Sequence, residues 1–266
     1  MKKAVCTLIV ILLCNYLANA QLGGIKLDKA KATEAVSKGV QSFTITDAEI
    51  VAYTKEYMAW MDEHNPVCKT TDSDAGKKAF AERLANIVSV IPADLIKSLN
   101  LNILSYYVVD VNAFACANGD IRVFAALMDL MTDDEILAVI GHEIGHIANK
   151  DSKDAFVTAL RVSALKDAAG AVGGKTVKSL TESQLGELAE TLANSQYSQK
   201  QENEADAYGY AFLKKCGKDP GSMASALGVL LKLQEEAGNP ENSQFQKLFS
   251  SHPDLKKRIE VLKKKG

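Results

Sequence analysis

Residues 132–150 read T-D-D-E-I-L-A-V-I-G-H-E-I-G-H-I-A-N-K, and the architecture turns on this stretch. Thr132 stands three residues before Glu135, the spacing at which two side chains reciprocally satisfy the free N–H groups of a helix start. A helix is therefore expected from Thr132 to about Lys150. His142 and His146 lie four residues apart on it and share a face, so both imidazoles can reach one Zn2+ at about 2.0–2.1 Å. Glu143 projects from the neighbouring position, placed to act as a base rather than a ligand.

A catalytic zinc takes three protein ligands and keeps an open position, so H-E-x-x-H needs a third donor. The acidic cluster Gln201-Glu202-Asn203-Glu204-Ala205-Asp206 offers one. Glu202 and Asp206 are four apart on one helical face, whereas Glu204 is turned roughly 200° from Glu202. Glu202 is assigned to the metal, and Asp206 to a hydrogen bond that fixes the tautomer of one ligand imidazole. Glu204 should face elsewhere. Without the upstream helix, such a run would read as a solvated acidic face.

Working outward, Tyr106, Tyr107, Val108, Val109 and Val111 are followed by an Asn118-Gly119 turn and then Ile121, Val123 and Phe124. That pattern predicts a small antiparallel sheet between Asn102 and Phe124. Apolar residues at helical spacing over 47–63 and 73–90 predict two amphipathic helices before it. Residues 153–198 read as mostly helical, with a break from Gly170 to Gly174. A further helix is expected from about Tyr197 to Cys216, closed by Gly217. Residues 237–252, with Gly238, Asn239, Pro240 and Asn242, read as a long mobile loop, and a short basic helix follows Pro253. The class is α+β, mainly helical.

Of 266 residues, 47% are hydrophobic and 24% charged, enough for a packed core. The 31 Lys+Arg against 33 Asp+Glu give a net charge of −2, so no basic excess is available to neutralise phosphates and nucleic-acid binding is not expected. Lys2 and Lys3, the apolar run Ala4 to Leu17 and Ala18-Asn19-Ala20 read as a cleaved secretory signal over 1–20, followed by a single domain over 21–266. Cys14 offers a lipid-attachment alternative, though Leu13 stands where such signals carry a small residue. After Gln21 no run of 18 apolar residues occurs, so no membrane span is expected. Cys68, Cys116 and Cys216 match no zinc module. A Cys68–Cys116 bridge is favoured because Cys216 ends a helix remote in sequence from both. Ala169 to Thr176, A-G-A-V-G-G-K-T, approaches a phosphate-binding loop, but helical rather than strand residues precede it, so no nucleotide is expected.

Five segments together resemble the M48 metallopeptidases, specifically their soluble, exported bacterial branch: Val111 to Ala115, Asn118 to Val123, Gly141 to His146, Glu202 to Asp206, and Ser251-His252-Pro253. The resemblance covers most of 102–256. It implies a zincin-like α+β fold and endopeptidase activity, and it makes the first Glu of E-x-x-x-D the zinc ligand, in agreement with Glu202; with the export signal, the expected location is periplasmic. Membrane-embedded members carry spanning helices between the metal-binding segments, whereas 147–201 holds Arg161, Lys166 and Asp167 here. No helical repeat domain is expected behind the catalytic one, and both departures favour a compact soluble enzyme.

In such an enzyme the substrate lies extended. A strand edge near Asn112, Ala113, Phe114 and Ala115, or near Asp120 to Val123, can pair with a peptide backbone without reading its side chains, which suits unfolded or damaged exported proteins. The rival reading is a chaperone that uses the same edge and hydrolyses nothing. Glu143 argues against it, because a structural zinc needs no base beside it. His64, in Asp62-Glu63-His64-Asn65, reads as solvated. His252 has three readings. It simply precedes a helix begun at Pro253. Alternatively, as the S-H-P match implies, it reaches the zinc, either as a neutral imidazole that closes the open position or as an imidazolium that stabilises the oxyanion. The closing role is favoured because a long flexible loop can swing a ligand on and off.

Overall fold

A computed structural model describes residues 45–170, 179–237 and 246–265. The segment read as a signal peptide, Cys14 within it, and the Gly-rich stretch from residue 171 onward lie outside the described residues. The chain divides into two compact units, Asp47–Ala159 with Val177–Gly266, and Met1–Thr46 with Leu160–Thr176. The core and the site lie in the first.

The elements run α1 (Asp47–His64), α2 (Ala75–Val88), α3 (Ala93–Ser98), β1 (Asn102–Tyr106), β2 (Ala113–Ala115), β3 (Asp120–Phe124), α4 (Ala125–Leu130), α5 (Asp133–Ala148), α6 (Asp151–Gly170), α7 (Glu182–Ala193), α8 (Gln199–Lys215), α9 (Ser222–Glu236), α10 (Gln246–Ser251) and α11 (Leu255–Lys263). The class is α+β and mainly helical, as expected. Helix α5 opens on the anticipated capping box: Thr132 accepts from the Glu135 N–H, and Glu135 accepts from the Thr132 N–H at 2.8 Å. Its residues from Glu135 to His146 are all buried, which makes it the central helix. Helix α6 continues through Gly170, so no strand precedes the Gly-rich stretch, and the phosphate-loop context is missing as the sequence suggested.

The sheet is mixed rather than wholly antiparallel. Its order is β1-β3-β2, with β2 antiparallel to β3 as the Asn118-Gly119 turn requires and β1 parallel to β3. Gly119 takes φ +96, and a Cβ there would lie 2.4 Å from the Leu99 and Asn100 carbonyl oxygens, so this turn demands glycine. The link 107–112 is too long for a tight hairpin. It sets β2 about two strand spacings from β1, and β3 fills the slot between them. The apolar run expected to be strand therefore stops at Tyr106, and Val109 in the link is 81% exposed.

The same topology removes the expected Cys68–Cys116 bridge: all three described thiols are free. Cys68 donates its N–H to Ser105 on the outer side of β1, whereas Cys116 follows β2 at the opposite edge. That separation is roughly three strand spacings, far beyond the span of about 7 Å that a disulfide tolerates.

Two glycines in α5 bring α8 close enough to share a site. A Cβ at Gly141 would meet Phe212 at 2.5 Å, and one at Gly145 would meet the Ala205 Cα at 2.9 Å. Any larger residue would force the helices apart and separate their polar side chains. Leu213, Ala226, Leu227 and Leu230 of α8 and α9 join Ile136, Ile140 and Ile144 of α5 in the apolar core.

The C-terminal region corrects two expectations. Residues 237–252 are not loop throughout: 238–245 lie outside the described residues, but α10 is helical and buries Leu248 and Phe249 in the core. Pro253 does not start the last helix. Helix α11 begins at Leu255 behind an Asp254 cap at φ +64, a left-handed position that Asp tolerates better than most residues. Among the described residues, no helix is long and apolar enough to cross a membrane.

Candidate active site

His142 and His146 rise from α5 and Glu202 from the first turn of α8, while His252 follows α10 with its N–H bonded to the Leu248 carbonyl at 3.1 Å. Each of the four offers a donor atom, these atoms all lie within 4.8 Å of one another, and all four residues are buried. The Nε2 atoms of His142 and His146 are 3.1 Å apart, and His252 Nδ1 is 3.3 Å from His142 Nε2 and 3.1 Å from Glu202 Oε1. Glu143 is buried beside them, with its Oε1 3.8 Å from His252 Nε2.

Glu202 and Asp206 share the buried face of α8. Glu202 is 0% and Asp206 2% exposed, and Asp206 Oδ1 accepts from His142 Nδ1 at 2.9 Å. Glu204 is exposed and pairs with Lys200 at 3.4 Å. His64 is exposed, as expected, and it also stacks on Trp60 and approaches Glu182 at 3.2 Å.

Four contributors escaped the sequence reading. Asp151, the first residue of α6, accepts from His146 Nδ1 at 3.0 Å. Gln201 Nε2 donates to the other Asp151 oxygen at 2.8 Å. The Tyr197 ring stacks on His146 at 4.0 Å with planes 17° apart. Arg258 of α11 is 1% exposed, donates Nε and Nη2 to both oxygens of Asp206 at 2.8 and 2.7 Å, and sets Nη1 against the Glu202 carboxylate. Asp151 and Gln201 each neighbour a segment already singled out, and a carboxylate or amide just past a ligand was the available signal. Arg258 did carry a local signal, because it shares the i, i+3, i+4, i+7 stripe with Leu255, Ile259 and Leu262, whereas the exposed Lys256 and Lys257 lie off it.

The donor set fits a divalent cation. With Nδ1 of each α5 histidine donating to a carboxylate, the two Nε2 lone pairs point at each other and at the Glu202 carboxylate. Two ligand nitrogens on a tetrahedral Zn2+ would stand about 3.3 Å apart, close to the separations seen here. Burial pushes the Glu202 carboxyl up, but the surrounding imidazoles of His252, His146 and His142 outweigh it and hold the group well below its usual range. Burial likewise lowers His146, yet the Asp151 and Glu202 carboxylates raise it to about 9, so the cluster draws positive charge to itself. At His142 burial prevails over the Asp206 bond, and the imidazole is held below its ordinary value.

Beside α5 lies the β2 edge, which among the described residues pairs with β3 on one side only. Phe124 N–H bonds to the Asn112 carbonyl and Cys116 N–H to the Asp120 carbonyl. By antiparallel alternation Phe114 also faces β3, and the backbone groups of Ala113 and Ala115 point away from it. The Ala113 N–H is taken by Asn112 Oδ1 at 2.9 Å, which among the described residues leaves the Ala113 carbonyl and both Ala115 groups for an added strand. Of the two edges considered, Asp120 to Val123 is excluded because β3 is the central strand.

The pattern of Peptidase family M48 matches residues 82–265. Metalloprotease LoiP of Escherichia coli (strain K12) is 35% identical over 253 residues, covering 95% of this chain and 94% of that protein. Metalloprotease YcaL of the same strain is 32% identical over 232 residues, covering 86% and 85%. A crystal structure of S. mikatae Ste24p aligns with 97% of this chain and 62% of its own, at 18% identity and a TM-score of 0.40. The chain belongs to peptidase family M48. It is a metallopeptidase, and His142, His146, Glu202 and His252 form a possible metal site in it.

Proposed function

We propose that the metal is zinc, one ion per chain, and that the protein is an endopeptidase acting on extended, unfolded or damaged polypeptides in the cell envelope, reached by export through a 20-residue leader ahead of a single catalytic domain. The observation that carries this reading is the convergence of His142, His146 and Glu202 donor atoms beside the buried Glu143. When bound, zinc supplies electrophilic polarisation of the scissile carbonyl and acidification of water. Glu143 takes the proton of the attacking water on its carboxylate and delivers it to the leaving amine. Asp206 and Asp151 hold the two α5 imidazoles in the tautomer that presents Nε2. The substrate backbone adds to β2 at Ala113 and Ala115, flanked by Asn112 and Phe114, which gives affinity with little side-chain selection.

His252 acts as a latch. Its Nδ1 stands among the ligand atoms, where it would fill the open position, whereas an oxyanion donor would stand apart from them. The anchoring of α10 makes release a movement of a short helix and its turn rather than of a free loop. The supporting test is digestion of unfolded casein by the full chain with and without a chelator. Hydrolysis that stops on chelation and returns with zinc supports the reading, and hydrolysis indifferent to the chelator contradicts it.

A further inference from the structure

The α5 imidazoles both end on carboxylates, but those carboxylates are held by different means. Asp206 is gripped by the Arg258 guanidinium. Asp151 is held by an amide: Oδ2 accepts from His146 and Oδ1 from Gln201 Nε2. The other end of that amide is also engaged. Gln201 Oε1 accepts from the Ser198 N–H at 3.0 Å and the Ser198 hydroxyl at 2.8 Å, closing the capping box that starts α8.

We infer that Gln201 is a positioning residue. Its amide links the cap of the helix that bears Glu202 to Asp151, and through Asp151 it fixes the ring plane and tautomer of His146. Two metal ligands from different helices are thereby set by one hydrogen-bonded chain. This rests on reading His146 and Glu202 as zinc ligands.

The residue type supports the inference. A Glu serves a capping box as well as Gln does and complements the helix dipole better. Helix α5 uses Glu at this position, where the neighbouring group is the Ser225 hydroxyl, which donates to Glu135 Oε1. At α8 the neighbouring group is a carboxylate, and a Glu would have no proton to offer it. The amide is the side chain that closes the box and still donates. Tyr197, one residue before the cap, stacks on the face of His146, so the start of α8 grips this imidazole from the face directly and from the edge through Asp151.

The test measures zinc dissociation into a competing chelator alongside the thermal midpoint of the metal-free full chain. Gln201→Glu keeps the cap acceptor, removes the donor and sets a carboxylate against Asp151, so the metal-free midpoint should fall by a repulsion that Asp151→Asn relieves, while zinc leaves about tenfold faster, the low end of losses caused by disturbing a ligand's hydrogen-bond partner. A purely Coulombic effect has the opposite sign, because an added carboxylate near the site would slow cation loss. The double variant Asp151→Asn with Gln201→Glu reverses the polarity of the link. The Asn amide donates to Glu, its carbonyl accepts from His146, and most of the retention should return. Dissociation from Gln201→Glu at the wild-type rate or slower overturns the inference, as does a double variant no better than Gln201→Glu. A metal-free midpoint lowered as far as in Ser198→Ala, with no change in zinc release, reduces Gln201 to a cap and also overturns it. A wild-type chain that binds no zinc overturns the metal reading as well.

Discussion

Replacing Arg258 by Met removes the guanidinium that faces both Glu202 and Asp206. Arg258 is 1% exposed, and the side chains it serves are 0% and 3% exposed, so solvent screens little of the interaction. Burial pushes Asp206 up, but the Arg258 and His142 hydrogen bonds outweigh it and hold the carboxyl at about 2. Without Arg258, two buried carboxylates face each other across one turn of α8 with only imidazoles to balance them. Breaking a buried pair by deleting one partner costs about 3–5 kcal/mol. At about 2–4 °C per kcal/mol for a chain of this size class, the metal-free midpoint should fall by roughly 6–20 °C. Thermal unfolding in chelator, followed by circular dichroism, reads the change. Arg258→Lys should recover only part of it, since an ammonium cannot reproduce the two-pronged contact with Asp206. In an Asp206→Asn background the Met substitution should cost clearly less, because one of the stranded charges is already gone. A fall smaller than about 2 °C in the single variant would mean that the guanidinium is not what balances these carboxylates.

Two further substitutions probe the donor set. Glu202→Gln should strip zinc from the purified chain while Glu204→Gln leaves about one ion per chain, by metal analysis; equal contents would refute the helical-face assignment. His252→Ala should raise the rate on an unfolded substrate at constant zinc content. A lower rate would assign His252 to the oxyanion instead, and an unchanged rate would leave it with no role in the reaction.

What could be read from the sequence had local causes. The Thr132–Glu135 box, the four-residue spacing of His142 and His146, and the shared face of Glu202 and Asp206 are fixed within a turn or two of helix, and each stands where expected. The Asn118-Gly119 turn correctly joined β2 to β3, because its geometry depends on two residues. The partner of β1 did not follow from any short pattern: it depends on how far the 107–112 link carries the chain. The same nonlocal fact separated Cys68 from Cys116. Gly, Asn and Pro in 238–242 suggested a loop as far as 252, yet Leu248 and Phe249 gain enough burial to hold a helical turn at α10. Arg258 was legible only as to its face: it shares the apolar stripe of α11 with Leu255, Ile259 and Leu262, but its partners Asp206 and Glu202 follow from the packing of α11 against α8 and α9.

In the proposed mechanism Glu143 is a base beside a metal it does not bind. Glu143→Gln keeps the shape of the side chain and removes its ability to take a proton. The purified variant should retain about one zinc per chain, unfold near the wild-type temperature, and cleave unfolded casein at a rate lower by a factor of about a hundred or more. Cleavage at the wild-type rate, or loss of zinc in the variant, would contradict the assignment of the base and of the three ligands around it.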